Sequence, residues 1–62
     1  MGRITITIDT DNAAFEEEGG HEVARILRTV AQDFVHLEDP RDLDGKYIRD
    51  INGNRVGKIE VD

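Results

Sequence analysis

Carboxylates are the residues of this sequence whose type and spacing point most directly to chemistry. The 62-residue chain carries 14 Asp and Glu against eight Lys and Arg, which gives a formal charge of −6. Residues 9–22 hold six acids and no base, and residues 33–44 hold five acids and one base, Arg41. Crowded like charges repel one another and cost a small fold stability. This crowding predicts an interaction with a basic site on another protein, with solubility as the alternative explanation.

Two acidic patches are the candidate partner-binding residues. The first acidic patch consists of Asp9, Asp11, Glu16, Glu17, Glu18 and Glu22. The second acidic patch consists of Glu38, Asp39, Asp42 and Asp44. Carboxylates on a rigid scaffold can take the place of nucleic acid phosphates, because they pair with Arg and Lys through charge-assisted bonds and speed encounter. We expect the first patch to project without any opposing base, about 27 Å from the second along a helix of about 18 residues.

Other site chemistry finds little support in the residue types. The chain has no Ser and no Cys, and its Thr residues lie in no recognisable activating context for a nucleophile. His21 and His36 are too far apart on the predicted helix to share a ligand, so we predict that both are surface residues. Residues 9–20 and 50–61 begin like calcium-binding loops, but each lacks the Gly and the final Glu that such a loop requires. We therefore predict no catalytic residue, no metal site and no cofactor.

Length and composition bound the class of protein. A chain this short buries only about 60% of the surface that its unfolded form exposes, which predicts a single compact domain over residues 1–62. Without Cys it can form neither disulfides nor a thiolate zinc site. No apolar stretch is long enough to span a membrane, and the start lacks the apolar stretch of a secretory signal. These features fit a protein of the reducing cytoplasm.

A strand and a helix are predicted to hold the first patch between them. Residues 3–8 alternate Ile with Arg or Thr, the pattern of a strand that buries one face, so we expect Ile4, Ile6 and Ile8 to face the core. Apolar residues at helical spacing then predict a helix over residues 20–37, ended by Asp39-Pro40. This apolar stripe comprises Val23, Leu27, Val30, Phe34 and Leu37, widened by Ile26 and Ala31. Phe15 is expected to anchor the intervening loop in the core.

The last third of the chain is predicted to form a β-hairpin. Residues 46–51 and 55–61 are extended runs joined through Asn52-Gly53-Asn54, and Asn-Gly favours a type I′ turn. Val56 is out of phase with Ile59 and Val61, which predicts a bulge at Gly57.

These elements predict an α+β fold in which one helix packs on a three-stranded sheet as a two-layer sandwich, in the order β-α-β-β. A right-handed crossover would place the first strand parallel to the strand with which it pairs, either beside the second strand or separated from it by the third. The sequence does not decide its neighbour. The predicted core is Ile6, Leu27, Val30, Phe34 and Ile59.

Residues 3–15, 22–28 and 49–57 cover about half of the chain and include an Asp-Asn-Ala-Ala-Phe segment and an Asn-Gly-Asn hairpin. In these stretches the sequence resembles a family of small proteins encoded by bacterial phages and prophages, and within it the anti-CRISPR proteins that inhibit type I-C systems. The resemblance implies a non-enzymatic DNA mimic. Its acidic surface would block the DNA-binding site of the Cascade surveillance complex, at the large subunit that reads the protospacer-adjacent motif.

The expected partner is therefore a basic nucleic-acid-binding protein in the cytoplasm of the bacterial host. The acidic surface would repel nucleic acid, so we expect no direct DNA or RNA binding, no membrane contact, and a monomer rather than an oligomer. The resemblance assigns no individual contact residue. The alternative is a small structural or regulatory interaction domain of phage origin without DNA mimicry, self-associating through its sheet.

Overall fold

The computed structural model describes residues 2–62. Its strands are β1 (Ile4–Ile8), β2 (Tyr47–Arg49) and β3 (Arg55–Val61), its helix is α1 (Gly19–Val35), and short 3₁₀ helices span Ala13–Phe15 and Pro40–Leu43. The helix lies on one face of a three-stranded sheet. This confirms the predicted α+β architecture and the order β-α-β-β. None of the helices in the described part of the chain has the length and apolar character needed to cross a bilayer.

The last strand lies at the centre of the sheet. The strand order is β1-β3-β2, and β3 is antiparallel to both neighbours. Of the two expected placements, the one with the third strand between the first and the second is confirmed. The expectation that β1 pairs with a parallel strand is wrong, because its hydrogen-bonded neighbour β3 is antiparallel to it. The first and second strands do run in the same direction, but β3 separates them. The hairpin with β2 occupies one edge of β3, and β1 pairs along the other edge.

The core gathers residues from the helix, the loops and two of the three strands. Its buried apolar side chains are Phe15, Ile26, Val30, Leu43, Ile48, Val56 and Ile59. Burial of Phe15 confirms its predicted anchoring role. The predicted placement of Leu27 in the core is wrong, because α1 is turned so that Ile26 and Val30 face the sheet and Leu27 remains 45% exposed.

The Ile residues of β1 face the predicted side of the sheet but are not fully covered. Ile6 lies opposite Ile59 and Ile4 opposite Val61, so their side chains share the helix-facing side of the sheet. Ile4 and Ile6 are nevertheless exposed, and Ile8 is half-buried. The expectation that these residues face the core is confirmed for Ile8, which packs against the buried cluster. Ile6 was also predicted to be a core residue, and that is wrong, because β1 is an edge strand and leaves Ile4 and Ile6 partly in solvent.

A bulge on β3 allows Val56 to enter the core. Ile48 lies opposite Gly57 and Arg49 opposite Arg55, which leaves Val56 as the extra residue. The predicted bulge is confirmed, one position before Gly57. A Cβ atom on Gly57 would lie only 1.7 Å from the Thr7 carbonyl oxygen, so only glycine allows β1 to approach β3 at this point.

The helix ends two residues earlier than predicted, and Pro40 does not end it. The helix stops at Val35, and the Leu37 N–H donates to the Phe34 carbonyl at 3.0 Å. Pro40 instead begins the second 3₁₀ helix.

The hairpin turn is not type I′, because that turn needs positive φ at both central residues. Gly53 has φ +84°, but among the described non-glycine residues only Glu18 has a positive φ.

Candidate interaction surface

The first acidic patch begins where β1 ends. The Asp9 N–H donates to the Val56 carbonyl of the neighbouring strand at 2.6 Å. The Asp9 carboxylate accepts from the Asp11 N–H at 3.0 Å, which turns the chain away from the sheet. Both residues are exposed. Their backbone is therefore fixed to the sheet while their carboxylates stay in solvent.

Asn12 and Phe15 fix the rest of this loop to the body of the protein. The Asn12 side-chain oxygen accepts from the Ala14 N–H at 2.9 Å and caps the first 3₁₀ helix. Its Nδ2 donates to the Asp50 carboxylate at 2.7 Å. Phe15, two residues from the Ala13 start of that 3₁₀ helix, is buried in the core. The acidic residues that follow project from a firmly held segment.

Glu16, Glu17 and Glu18 form the exposed turn between this segment and α1. Within residues 2–62, none of the three makes an ion pair with Lys, Arg or His. Glu18 has φ 52° and ψ 39°, a left-handed conformation that costs a residue with a side chain about 1–2 kcal/mol. Its side chain makes no cap hydrogen bond to the helix that it precedes. The chain therefore keeps a carboxylate at a position that favours glycine.

Glu22 does not belong to the exposed surface, although the sequence assigned it to the first acidic patch. It is buried, and its carboxylate accepts from Arg25 Nε at 2.6 Å and Nη2 at 3.0 Å. It also accepts from the Ile51 N–H at 2.8 Å, which ties α1 to the hairpin loop. The Arg25 guanidinium and then the Ile51 amide hold the pKa of Glu22 below its usual range, against the opposing effect of burial. The expectation that no base opposes this residue is wrong.

Asp50 is a second buried carboxylate, and the sequence interpretation gave it no structural role. It accepts from Asn12 Nδ2, from the N–H groups of Asn52 and Asn54 at 2.9 Å, and from Asn54 Nδ2 at 3.3 Å. Burial acts to raise the pKa of Asp50, but the bonds from Asn54, Asn12 and Asn52 outweigh it and lower the pKa. The spacing Asp-x-Asn-x-Asn was tested above only as the start of a calcium-binding loop. It could instead have predicted this turn, in which the Asp50 carboxylate accepts from the backbone of both Asn residues.

The second acidic patch is partly neutralised. The Asp39 carboxylate accepts from the Arg41 N–H at 2.9 Å and from Nη2 at 2.8 Å, and these bonds lower the pKa of Asp39. The Asp44 carboxylate accepts from the Val61 N–H at 2.8 Å. Glu38 and Asp42 are exposed and, within the described chain, make no ion pair. This patch therefore presents less free charge than Asp9, Asp11 and the three consecutive Glu residues.

Cations gather on the face of the sheet opposite the helix. Arg49, Arg55 and Lys58 are exposed there, and the Arg55 guanidinium lies 4.2 Å from the centre of the Tyr47 ring. Glu60 adds one carboxylate to this face. Charge is thus not spread evenly: the loop after β1 is purely acidic, whereas the open face of the sheet is mainly basic.

A groove of about 350 Å³ lies between α1 and β2. The Lys46 ammonium and the Asp33 carboxylate pair across it at 2.7 Å. The Thr29 hydroxyl, which also lines it, donates to the Arg25 carbonyl at 3.1 Å. Among residues 2–62, no group of three or more His, Asp or Glu side chains is arranged to hold a metal ion.

Comparisons with models of protein families, with curated proteins and with solved structures found no match to this chain.

Proposed function

We propose that this protein is a non-enzymatic inhibitor whose acidic loop occupies the DNA-binding site of a basic partner, the large subunit of a type I-C Cascade complex. It would act in the cytoplasm of the bacterial host. The target follows from the resemblance of residues 3–15, 22–28 and 49–57 to phage and prophage proteins. The acidic loop is defined as Asp9, Asp11, Glu16, Glu17 and Glu18, which is the first acidic patch without the buried Glu22.

The observation that carries the proposal is the conformation of Glu18. Glu18 lowers the stability of the fold in two ways. Its left-handed backbone is strained, and its carboxylate, which has no ion pair within the described part of the chain, is repelled by the two exposed Glu residues beside it. Backbone strain of this kind clusters at functional sites. Glycine at this position, like the Gly19 and Gly20 that follow, would relieve both costs.

The scaffold under the loop favours tight recognition. Asn12 connects the loop to Asp50, and Phe15 anchors it in the core. A surface that is already ordered loses little conformational freedom when it binds. Five carboxylates carried on a backbone held in this way could pair with the Arg and Lys residues that otherwise hold DNA phosphates.

The test is competition for DNA on purified type I-C Cascade, with matched charge removal at the two patches. The double variant Glu16→Gln/Glu17→Gln removes two charges from the acidic loop. The control Glu38→Gln/Asp42→Asn removes two exposed charges from the second acidic patch. We expect the first variant to lose about tenfold or more in inhibition and the control to inhibit as the wild type does.

Salt provides a second readout. Exposed charge pairs are screened over about 8 Å at physiological ionic strength, so inhibition by the wild type should weaken steeply as salt rises. Inhibition that resists salt and survives both double variants would contradict mimicry by the acidic loop. Absence of any binding to Cascade would contradict the target itself.

One observation favours the alternative, an interaction domain without DNA mimicry. Ile4, Ile6 and Leu27 are large apolar side chains left exposed in a very small fold, and exposed apolar surface marks sites of protein association. If this is the working surface, replacement of Ile6 by Lys should abolish partner binding while the double variant Glu16→Gln/Glu17→Gln retains it.

A further inference from the structure

The outer edge of β1 presents unpaired backbone groups. Arg3 and Asp62 exchange two backbone hydrogen bonds, at 2.8 and 3.4 Å, just before the strand begins. Successive residues of an antiparallel strand direct their backbone groups to opposite sides. The N–H and C=O groups of Ile4, Ile6 and Ile8 therefore point away from β3, towards the open edge.

The β1 strand contains no Lys, no Pro and no bulge, three features that keep edge strands from associating. Natural edges are blunted by Lys, Pro or bulges. Over its five residues β1 is Ile-Thr-Ile-Thr-Ile, and its pairing with β3 is regular throughout. Ile4 is 48% and Ile6 is 38% exposed on the helix-facing side. The open edge is thus both unpaired and apolar.

The helix extends this apolar surface on the same side of the molecule. Arg25, Thr29 and Asp33 line the groove above β2. Leu27 lies on the opposite flank of the stripe formed by Ile26 and Val30, since each helical residue is turned by about 100° from the last. Because β1 and β2 lie on opposite sides of β3, this flank is on the β1 side of the helix, and Leu27 is exposed there.

We infer that β1 pairs antiparallel with β1 of a second copy of this chain, about a two-fold axis through Ile6. This register sets Ile6 opposite Ile6 and Ile4 opposite Ile8 of the second copy. The outward-pointing backbone groups then form about six hydrogen bonds, two for each of three residue pairs. The two sheets join into one sheet of six strands, with both helices on the same face.

Charge complementarity supports this occupant and this register. The same two-fold axis sets Arg3 opposite Asp9 of the second copy, so the strand ends meet as opposite charges. Both residues are exposed, and within residues 2–62 neither forms an ion pair. Thr5 lies opposite Thr7 of the second copy, a pairing that sheets favour. In this register each residue of β1 therefore lies opposite a residue of similar or complementary chemistry in the second copy.

The dimer replaces the expectation of a monomer. It covers Ile4 and Ile6 of both copies and pairs Asp9 with Arg3. The other four carboxylates of the acidic loop (Asp11, Glu16, Glu17 and Glu18) stay free in each copy to bind the partner. Pairing along an edge of five residues buries less surface than the standard interface of about 1,200–2,000 Å². We therefore expect a dimer whose population rises with protein concentration.

Sedimentation equilibrium of the full chain tests the association. The wild type should show a concentration-dependent dimer, and Ile6→Lys should be a monomer over the same range. Ile51→Lys is the matched control, because Ile51 is also an exposed Ile but lies in the hairpin loop; it should dimerise as the wild type does. A wild type that stays monomeric at every concentration would overturn the proposal.

Cross-linking tests the register, because the chain contains no Cys of its own. A mixture of Thr5→Cys and Thr7→Cys should form the mixed disulfide, whereas Thr5→Cys alone should not link to itself. Both side chains are exposed, so neither change disturbs the core. Self-linking of Thr5→Cys would overturn the register. Charge reversal gives the same information without cross-linking: Arg3→Glu and Asp9→Lys should each weaken the dimer, and their combination should restore it.

Discussion

Asn12 and Asp50 are separated by 38 positions in the chain, and their side chains meet through a hydrogen bond of 2.7 Å. This contact joins the loop after β1 to the loop between β2 and β3. The same carboxylate holds Asn52 and Asn54 in place. One buried Asp therefore sets the conformation of the hairpin turn and the position of the acidic loop at once.

Loss of the Asp50 charge should uncouple these two loops. In Asp50→Asn an amide NH₂ replaces one acceptor oxygen and faces the donors of Asn12 or Asn54. We expect a lower melting midpoint and faster amide hydrogen exchange in residues 9–18 and 50–54. Asp42→Asn, which changes an exposed carboxylate, is the control and should leave both unchanged. Unaltered exchange in Asp50→Asn would contradict the coupling.

Acid should weaken the fold through Asp50 and Glu22. The pKa of each is lower in the folded protein than in the unfolded chain, so their stabilising contribution is complete above the usual carboxyl pKa of about 4. It is lost as pH falls through the folded values. Unfolding measured by denaturant between neutral pH and about pH 2 should show this loss, and Asp50→Asn/Glu22→Gln should flatten the profile. A double variant with the full wild-type slope would contradict this assignment.

Core packing should depend on Ile26 rather than on its neighbour. Ile26 is 2% exposed, and Ile26→Ala should cost about 2–5 kcal/mol of unfolding free energy, which would largely unfold so small a domain. Leu27→Ala is the control of similar size, and its exposed side chain should cost about 1 kcal/mol or less. Chemical denaturation distinguishes them. Equal losses in the two variants would mean that α1 is turned differently.

Gly57 should tolerate no side chain. The methyl group of Gly57→Ala would collide with the Thr7 backbone, which cannot move without parting β1 from β3, so we expect a loss of about 3 kcal/mol or more. Gly20→Ala, in the first turn of α1, meets no atom within 4 Å and should gain about 0.5–1 kcal/mol. Thermal melts of both variants provide the measurement. A stable Gly57→Ala would contradict the close approach.

Stability and function should separate at Glu18. Glu18→Gly relieves the left-handed backbone and should gain up to about 1 kcal/mol, while it removes one carboxylate of the acidic loop. Glu17→Gly removes the same charge without relieving strain, so it should lose about 0.4–1 kcal/mol. Both should inhibit less well than the wild type. Undiminished inhibition by Glu18→Gly would contradict a functional reason for the strain.

Local sequence patterns predicted the individual strands and the helix well, but they did not predict how these elements pack against one another. The Ile-Thr alternation gave β1, and the out-of-phase Val56 gave the bulge. Helical periodicity gave α1 but could not choose between Ile26 and Leu27 as the buried position, because adjacent apolar residues widen the stripe. The choice depends on which strands lie below the helix, and strand order is a long-range property.

The candidate surface was predicted as a set of charges without their partners. Glu22 looked equivalent to its acidic neighbours because the pairing that removes it involves Arg25, at helical spacing, and Ile51, far along the chain. Asp39 and Asp44 are likewise engaged through folded contacts. Within residues 2–62, the first acidic patch without Glu22, together with Glu38 and Asp42, keeps the exposed character without ion pairs that the sequence suggested.

The central position of β3 has a consequence for synthesis on the ribosome. The strand that joins the other two is the last of the three to be made, so β1, α1 and β2 emerge before the sheet can form. At about 5–20 residues per second, the Ile-rich β1 waits for several seconds with both backbone edges open. Because β1 and β2 each pair with β3 and not with one another, no ladder of the sheet can form during that interval, and the whole sheet assembles in one late step.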